Sequence, residues 1–312
     1  MKINYSKLLL IALFTASLAV IVPGCTKENS GNGTDQQEEE VSRISSESDA
    51  EAEMVFNGVF DDAMGVNDEV GMAGTGIFGR NSIGSTNGTP ETQRPNACFT
   101  VTVTHPNGTP FPVRVVIDFG PVPCLGPDGH TRKGKIITEY TNRLIIPGAV
   151  ATTTFHDFYF DSTHVEGTHR ITNMSSLTPT VPPQRKFKAE VIDARLTKHN
   201  GNFIEWNSVK TITQIEGLLT PDFPRDDVFR IEGHSRGRAR RGTLLVGWES
   251  NVIEPLIKRF LCRWIVKGKV RTVRINATTT TAWVAVLDFG NGNCDNQAVI
   301  TINGVAHQIT LR

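Results

Sequence analysis

Residues 96–312 are dominated by short apolar–polar alternations separated by turn residues. The segment 98–104, CFTVTVT, alternates strictly, with the period of a half-buried β-strand, and an Asn-Gly turn at 107–108 follows it. About a dozen such runs occur without a helical period between them; only 252–261 is faintly helical, and Pro255 interrupts it. We therefore predict an all-β body, an antiparallel multi-stranded meander that is elongated or sandwich-like, with one short N-terminal helix.

A repeated sequence pattern divides this body into two related modules. Each module has an apolar strand, then Asp-Phe-Gly, three further residues and a cysteine, which is Cys124 in the first and Cys294 in the second. Another cysteine precedes each, Cys98 by 26 residues and Cys262 by 32 residues. Four cysteines allow three pairings, among which sequence alone does not choose. The matched spacing of the modules favours Cys98–Cys124 together with Cys262–Cys294.

The first 24 residues have the organisation of an export signal. A positive start at Lys2 and Lys7 precedes 8–22, an uncharged stretch that is too short to span a bilayer comfortably. Cys25, directly after Gly24, resembles the lipobox cysteine of bacterial lipoproteins. In that family the thiol receives a diacylglycerol, the signal is cut before the cysteine, and the new amine is acylated. The resemblance implies a lipid anchor in an oxidising compartment, where the other four cysteines can pair.

The segment 25–50 is acidic and poor in apolar residues, which predicts a flexible tether. A short helix is predicted over 46–62, so that 51–95 comprises most of this helix and a Gly/Asn/Ser-rich linker. Charge is uneven along the chain: residues 26–90 hold 13 acidic and three basic side chains, whereas residues 201–312 hold ten acidic and 15 basic ones. Attraction between these regions would be screened beyond about 10 Å in salt.

His156, His164 and Glu166 belong to the densest cluster of metal-ligating side chains. If the two histidines lie on adjacent strands of a hairpin, the two-residue side-chain period could bring all three ligands to one zinc position. The alternative is a solvated strand face with ordinary polar residues. Cys-x-x-Cys does not occur, which argues against structural zinc. We predict no bound cofactor.

The segment 234–242 is the most basic part of the chain and contains Arg236, Arg238, Arg240 and Arg241. We interpret it as a solvated hairpin loop or as a site for phosphate or carboxylate groups of an anionic glycan, which suit the planar guanidinium. Nucleic acid is disfavoured as a partner because the chain lacks a reading helix and an aromatic platform motif. The pattern Gly-x-Ser-x-Gly occurs at 233–237, but Ser and His are adjacent there rather than arranged as an elbow between a strand and a helix, and no catalytic residue can be named.

Further motifs extend the resemblance over residues 95–312. The Asp-Phe-Gly turn with the later Gly-Lys-Ile-Ile at 134–137, the repeated Glu-Gly turns, Cys-Arg-Trp-Ile-Val at 262–266 and Gly-Asn-Cys-Asp-Asn at 292–296 resemble secreted all-β lipoproteins of Bacteroidota-type bacteria. The resemblance implies an exported, anchored, β-rich protein and carries over no catalytic residue. The residue after Cys25 is not aspartate, which favours the outer membrane, with the body on its periplasmic or cell-surface side.

We therefore expect an outer-membrane lipoprotein that acts as a non-catalytic binding or interaction module. Its expected partners are the membrane, through the N-terminal lipid, and an anionic glycan or another envelope protein. Two alternatives stay open: an envelope hydrolase that acts on glycans through an unrecognised carboxylate site, and a structural envelope component.

Overall fold

The structure, a computed structural model, describes residues 30–65, 98–126, 129–176, 184–220, 226–262, 264–275 and 283–311. Within these ranges it contains one helix, α1 (Ser30–Met64), and fourteen strands. The strands are β1 (Thr100–Thr104), β2 (Val113–Asp118), β3 (Cys124–Leu125), β4 (Thr131–Tyr140), β5 (Val150–Phe160), β6 (Thr163–Asn173), β7 (Arg185–Thr197), β8 (Phe203–Glu216), β9 (Val228–Arg241), β10 (Leu244–Arg259), β11 (Ile265–Ile275), β12 (Val284–Asn291), β13 (Gln297–Ile302) and β14 (Val305–Thr310). The predicted signal at 1–24, Cys25 and the linker at 66–95 lie outside the described residues.

All fourteen strands belong to one sheet, and the strand pairs are antiparallel. The order is β1-β2-β4-β5-β6-β7-β8-β9-β10-β11-β12-β13-β14, and the short β3 pairs with β4 beside this path. Nearly every strand therefore pairs with its neighbour in the chain, as tight turns between period-two segments require. The prediction of an all-β antiparallel meander with a single N-terminal helix is confirmed.

Two segments are strands where the sequence suggested otherwise. The basic segment 234–242, interpreted as a loop, is mostly part of β9, and only Gly242 and Thr243 form the turn to β10. The faintly helical segment 252–261 lies mainly in β10, whose register against β9 shifts between Asn251 and Leu256. Pro255 falls within this irregular part, where its missing N–H costs no regular ladder bond.

Helix α1 lies against the inner face of the sheet and contacts nine successive strands, from β5 to β13. Because a single helix reaches so many neighbouring strands, the sheet must curve around it. Every residue from Val41 to Met64 is buried or half-buried. The helix has 35 residues, which corresponds to a length of about 52 Å at 1.5 Å per residue. Among the residues that the structure describes, no helix has the length and apolar character needed to cross a membrane.

The prediction of a flexible tether over 25–50 is wrong for residues 30–50, and so is the prediction that the helix begins at Ser46. The helix begins at Ser30, and both Ile44 and Ser48 are at most 1% exposed. A hydrophilic composition predicts a solvated spacer only when the polar groups lack partners within the protein. Here the small side chains allow close packing, and the carboxylates meet partners on strands far along the chain.

A row of small hydroxyl side chains crosses the sheet beneath α1. Ser208, Ser235, Ser250 and Thr272 pair in turn on β8, β9, β10 and β11, and each is at most 5% exposed. The hydroxyls of Ser250 and Thr272 lie 2.9 Å apart, within hydrogen-bond distance. Small residues in one row let the helix backbone approach the sheet more closely than leucine or phenylalanine would allow.

Asp49 of α1 is the polar centre of this packing. Its Oδ1 accepts hydrogen bonds from Trp206 Nε1 at 2.7 Å, Ser235 Oγ at 2.7 Å and Trp248 Nε1 at 3.1 Å. Both tryptophans pair with Gly237 in the sheet. A Cβ at Gly237 would lie 2.6 Å from the Trp248 ring, so glycine lets both indoles reach one carboxylate. The result is a buried acceptor that joins α1 to three neighbouring strands.

Charge complementarity also holds α1 in the sheet. Residues 30–64 contain ten acidic side chains and one basic side chain. Six of the acids pair with arginines or lysines of the β-rich body: Glu38–Arg274, Glu47–Arg241, Glu51–Lys198, Glu53–Lys210, Asp61–Lys258 and Asp62–Arg132. Glu39 lies 3.3 Å from the His307 ring. The acidic segment and the basic side chains that the sequence shows are therefore in direct contact. Salt screens such contacts much less than interactions across solvent.

The two Asp-Phe-Gly segments form equivalent turns at the ends of β2 and β12. Asp118 Oδ1 accepts the Gly120 N–H, and Asp288 Oδ1 accepts the Gly290 N–H, each at 2.9 Å. Both glycines have positive φ, as such turns require. A hydrogen bond from Lys135 and the Gly120 N–H lower the pKa of Asp118 below its ordinary value.

Two disulfides fasten these modules. Cys98 is bonded to Cys124, and Cys262 is bonded to Cys294. The pairing that the matched spacing favoured is therefore confirmed. The two bonds are alike because the two cysteine-bearing turns have equivalent positions in the sheet.

Candidate ligand-binding site

A cavity of about 530 Å³ lies between α1 and the surrounding strands and turns. The helix residues that line it lie on one side of the helix, most of them three or four positions apart: Glu47, Ala50, Glu51, Glu53, Met54, Asn57, Gly58 and Asp61. From Glu47 to Asp61 the helix rises about 21 Å at 1.5 Å per residue. The cavity is therefore elongated along the helix axis.

The wall opposite this helix face is largely apolar. It contains Phe160 at the end of β5, Trp264 and Ile265 at the start of β11, Phe289 of β12, and Ile309 and Leu311 at the end of β14. These side chains come from strands on both flanks of the curved sheet. Because they are separated by up to about half of the chain, no local motif marks the cavity in the sequence. Sequence reasoning missed it for this reason.

Ion pairs between helix and sheet lie at both ends of the cavity. At the end nearer the helix N-terminus, Arg241 lies 2.7 Å from Glu47 and Lys198 lies 2.9 Å from Glu51. At the other end Lys258 lies 2.6 Å from Asp61. Each end therefore carries balanced charge.

Two asparagines of the β7–β8 turn add amide groups to the first end. Asn202 Oδ1 accepts the Gly242 N–H at 3.0 Å, and Asn200 Oδ1 accepts the Asn202 N–H at 3.1 Å. These bonds use the amide oxygens to hold the turns together. The amide N–H groups supply hydrogen-bond donors at this end of the cavity.

His130 lines the side of the cavity and was not singled out by the sequence. Its Nδ1 pairs with the carboxylate of Asp161, and its ring lies 4.6 Å from the ring of Phe160. Burial would raise the pKa of Asp161, but hydrogen bonds from His130 and Thr131 outweigh it and lower that pKa. The pair joins the start of β4 to the β5–β6 turn and fixes this part of the wall.

The predicted metal site at His156, His164 and Glu166 is wrong. β5 and β6 do form a hairpin, and His164 lies 3.7 Å from Glu166 on one face. His156, however, is exposed and lies opposite Lys135 of β4 in the strand register. Its electrostatic interaction with Asp118 contributes to the lowered pKa of that carboxylate. The pairing of β5 with β6 is interrupted by a register shift between Thr153 and Tyr159, and His156 lies within this interrupted stretch. Within the described ranges no group of three or more potential ligands could hold a metal ion.

The four candidate arginines do not converge on one place. Arg236, Arg238 and Arg240 alternate along the outer face of β9 and are exposed. Arg238 pairs with Glu205, which holds the pKa of Glu205 below its ordinary value. Arg241 instead pairs with Glu47 at the cavity. A glycan site on the outer face of β9 stays a prediction.

Comparison with known proteins adds no relative. No protein-family model, no curated protein and no solved structure matches the chain significantly.

Proposed function

We propose that the chain is a lipid-anchored envelope protein of the outer membrane that acts by binding rather than by catalysis. The cavity along α1 is its ligand site. The observation that carries this proposal is the cavity itself, which has a volume of about 530 Å³, an elongated form, ion pairs at both ends and one wall rich in aromatic and aliphatic side chains; Glu53, Asn57, His130 and Thr310 add polar groups to its lining. Ligand sites typically have volumes of about 300–1,000 Å³, with apolar walls and a few polar groups that orient the ligand.

The state of the cavity carboxylates favours binding over glycan hydrolysis. Glu47, Glu51, Glu53 and Asp61 line the cavity, and each is ion-paired with a lysine or arginine of the sheet. Glycoside hydrolysis needs one carboxylic acid that still holds its proton. Each of these carboxylates is instead engaged in an ion pair that joins α1 to the β-rich body.

The anchor is tested by changing Cys25. The wild-type chain, expressed in a diderm bacterium, should fractionate with the outer membrane and incorporate labelled palmitate. Cys25→Ala should appear in the soluble fraction without label. Equal membrane retention of both chains would contradict the anchor, and a fold check on the soluble variant by circular dichroism is the control.

The binding role is tested by blocking the cavity. Met54→Trp adds a large ring to the cavity lining, whereas Leu245→Trp adds the same ring at a side chain that is 59% exposed. Each protein is purified under native conditions and extracted with organic solvent, and the extracts are compared by mass spectrometry. A compound class should be enriched with the wild type and Leu245→Trp and lost with Met54→Trp. The same extract from all three proteins, or no enrichment at all, would refute ligand binding in this cavity.

A further inference from the structure

The dimensions and charges of the cavity identify a class of ligand, and this inference rests on the proposed function. We infer that the cavity binds a single-chain amphiphile of about 16 carbons whose headgroup is uncharged and forms hydrogen bonds, such as a monoacylglycerol. Its headgroup lies at the Asn200 and Asn202 end and its alkyl chain lies along α1.

The length of the chain follows from the geometry of the helix. Glu47 and Asp61 mark the two ends of the cavity, about 21 Å apart along the axis. An extended alkyl chain advances about 1.25 Å per carbon, given a C–C bond of about 1.52 Å. About 16 carbons therefore span the distance from Glu47 to Asp61, and the headgroup lies beyond Glu47, beside the exposed Asn200. Dividing the volume of about 530 Å³ by this length gives a cross-section of about 25 Å², which leaves room for one chain rather than two.

The direction of the chain follows from the distribution of polar groups. Asn200, Asn202, Lys198 and Arg241 gather at the end nearer the helix N-terminus. At the other end one ion pair, Lys258 with Asp61, lies beside the aromatic and aliphatic side chains of β11. The first end therefore offers several donors to a headgroup, and the second offers apolar contact to a chain terminus.

The charge of the headgroup follows from the balanced ion pairs. At the headgroup end both cations already have a carboxylate partner within 3 Å, Arg241 at 2.7 Å and Lys198 at 2.9 Å. A fatty-acid carboxylate would bring an extra negative charge next to Glu47 and Glu51, and burying an uncompensated charge is costly. Hydroxyl groups can instead accept from the asparagine amides and donate to carboxylate oxygens without changing the net charge.

The test measures binding to the detergent-free Cys25→Ala chain. Monoacylglycerols with chain lengths from about eight to about twenty carbons are titrated, and palmitate at pH 8 serves as the charged competitor of equal length. Trp264 lines the cavity, so chains brominated near their end should quench its fluorescence, and Trp264→Phe should remove that component. Native mass spectrometry should show one bound molecule per chain.

Affinity should rise about fourfold per methylene, from about 0.8 kcal/mol for each buried CH₂, and stop rising near 16 carbons. Palmitate should bind at least about tenfold more weakly than the monoacylglycerol of equal length. Met54→Trp should abolish binding of the long chains, and Leu245→Trp should not. If affinity does not depend on chain length, or if palmitate binds more tightly, this ligand class is overturned. The proposed binding function still stands in that case if the native extract contains a ligand that Met54→Trp removes. Absence of both amphiphile binding and any extracted ligand would overturn the two proposals together.

Discussion

The acceptor at Asp49 allows a sharp test of how α1 is held. Asp49→Ala removes the carboxylate whose Oδ1 accepts from Trp206, Ser235 and Trp248. The side chain of Asp49 is 4% exposed, so water does not readily replace it. Three donors would then be buried without an acceptor, while most of the helix packing stays in place.

The magnitude can be worked from the number of donors. A buried donor without a partner costs about 1–3 kcal/mol, so three donors together cost about 3–9 kcal/mol. Relief from burying the carboxylate charge offsets part of this loss. We expect Asp49→Ala to lower the free energy of unfolding by about 4 kcal/mol, and Asp49→Asn, which keeps one carbonyl oxygen, to lower it by about 1–2 kcal/mol.

The assay is urea unfolding of the oxidised chain, followed by tryptophan fluorescence and by far-ultraviolet circular dichroism. Asp35→Ala is the matched control, because Asp35 lies on the same helix and is exposed. A difference of less than about 1 kcal/mol between Asp49→Ala and this control would show that the tryptophan bonds do not hold α1 in the sheet. Loss of the near-ultraviolet tryptophan signal in Asp49→Ala with retained secondary structure would localise the damage to this centre.

Three further predictions concern burial and cross-linking. Lys210→Met should destabilise the protein by about 3–5 kcal/mol because it leaves the Glu53 carboxylate buried without a partner, and the double variant with Glu53→Leu should recover most of this loss in a double-mutant cycle. Burial lowers the pKa of His169 from 6.5 to about 4, so the unfolded chain takes up a proton first and stability should fall as pH drops from 6.5 to 4; His169→Leu should flatten that part of the curve of unfolding free energy against pH. Replacing Cys262 and Cys294 by serine opens a link across 32 residues and should lower the free energy of unfolding in urea by about 3–4 kcal/mol.

The strands could be predicted because their signal is local. Residues 98–104 show the two-residue period directly, and the Asp-Phe-Gly turns combine a side-chain acceptor with a glycine at positive φ. The matched cysteine spacing was informative for the same reason, since each disulfide repeats the local arrangement of the other module.

The first half of the helix, its burial against the sheet and the cavity could not be predicted, because their signals are not local. Ser45, Ser48 and Asp49 are hydrophilic by composition, and their burial depends on strands more than 150 residues away, such as the one that carries Trp206. The metal prediction was wrong because a register shift in the β5–β6 hairpin does not follow from residue spacing. A two-residue period places side chains on a face but does not reveal which neighbours the curvature of the sheet adds.

The position of α1 at the start of the body has a consequence for the order of folding. Its partners are synthesised much later: Trp248 lies 199 residues after Asp49, and Arg274 lies 236 residues after Glu38. Contacts of such high sequence separation form slowly, and an acidic helix without its cations gains little stability while the strands are still being made. The helix should therefore dock only after most of the sheet has emerged, whereas hairpins of neighbouring strands can pair earlier.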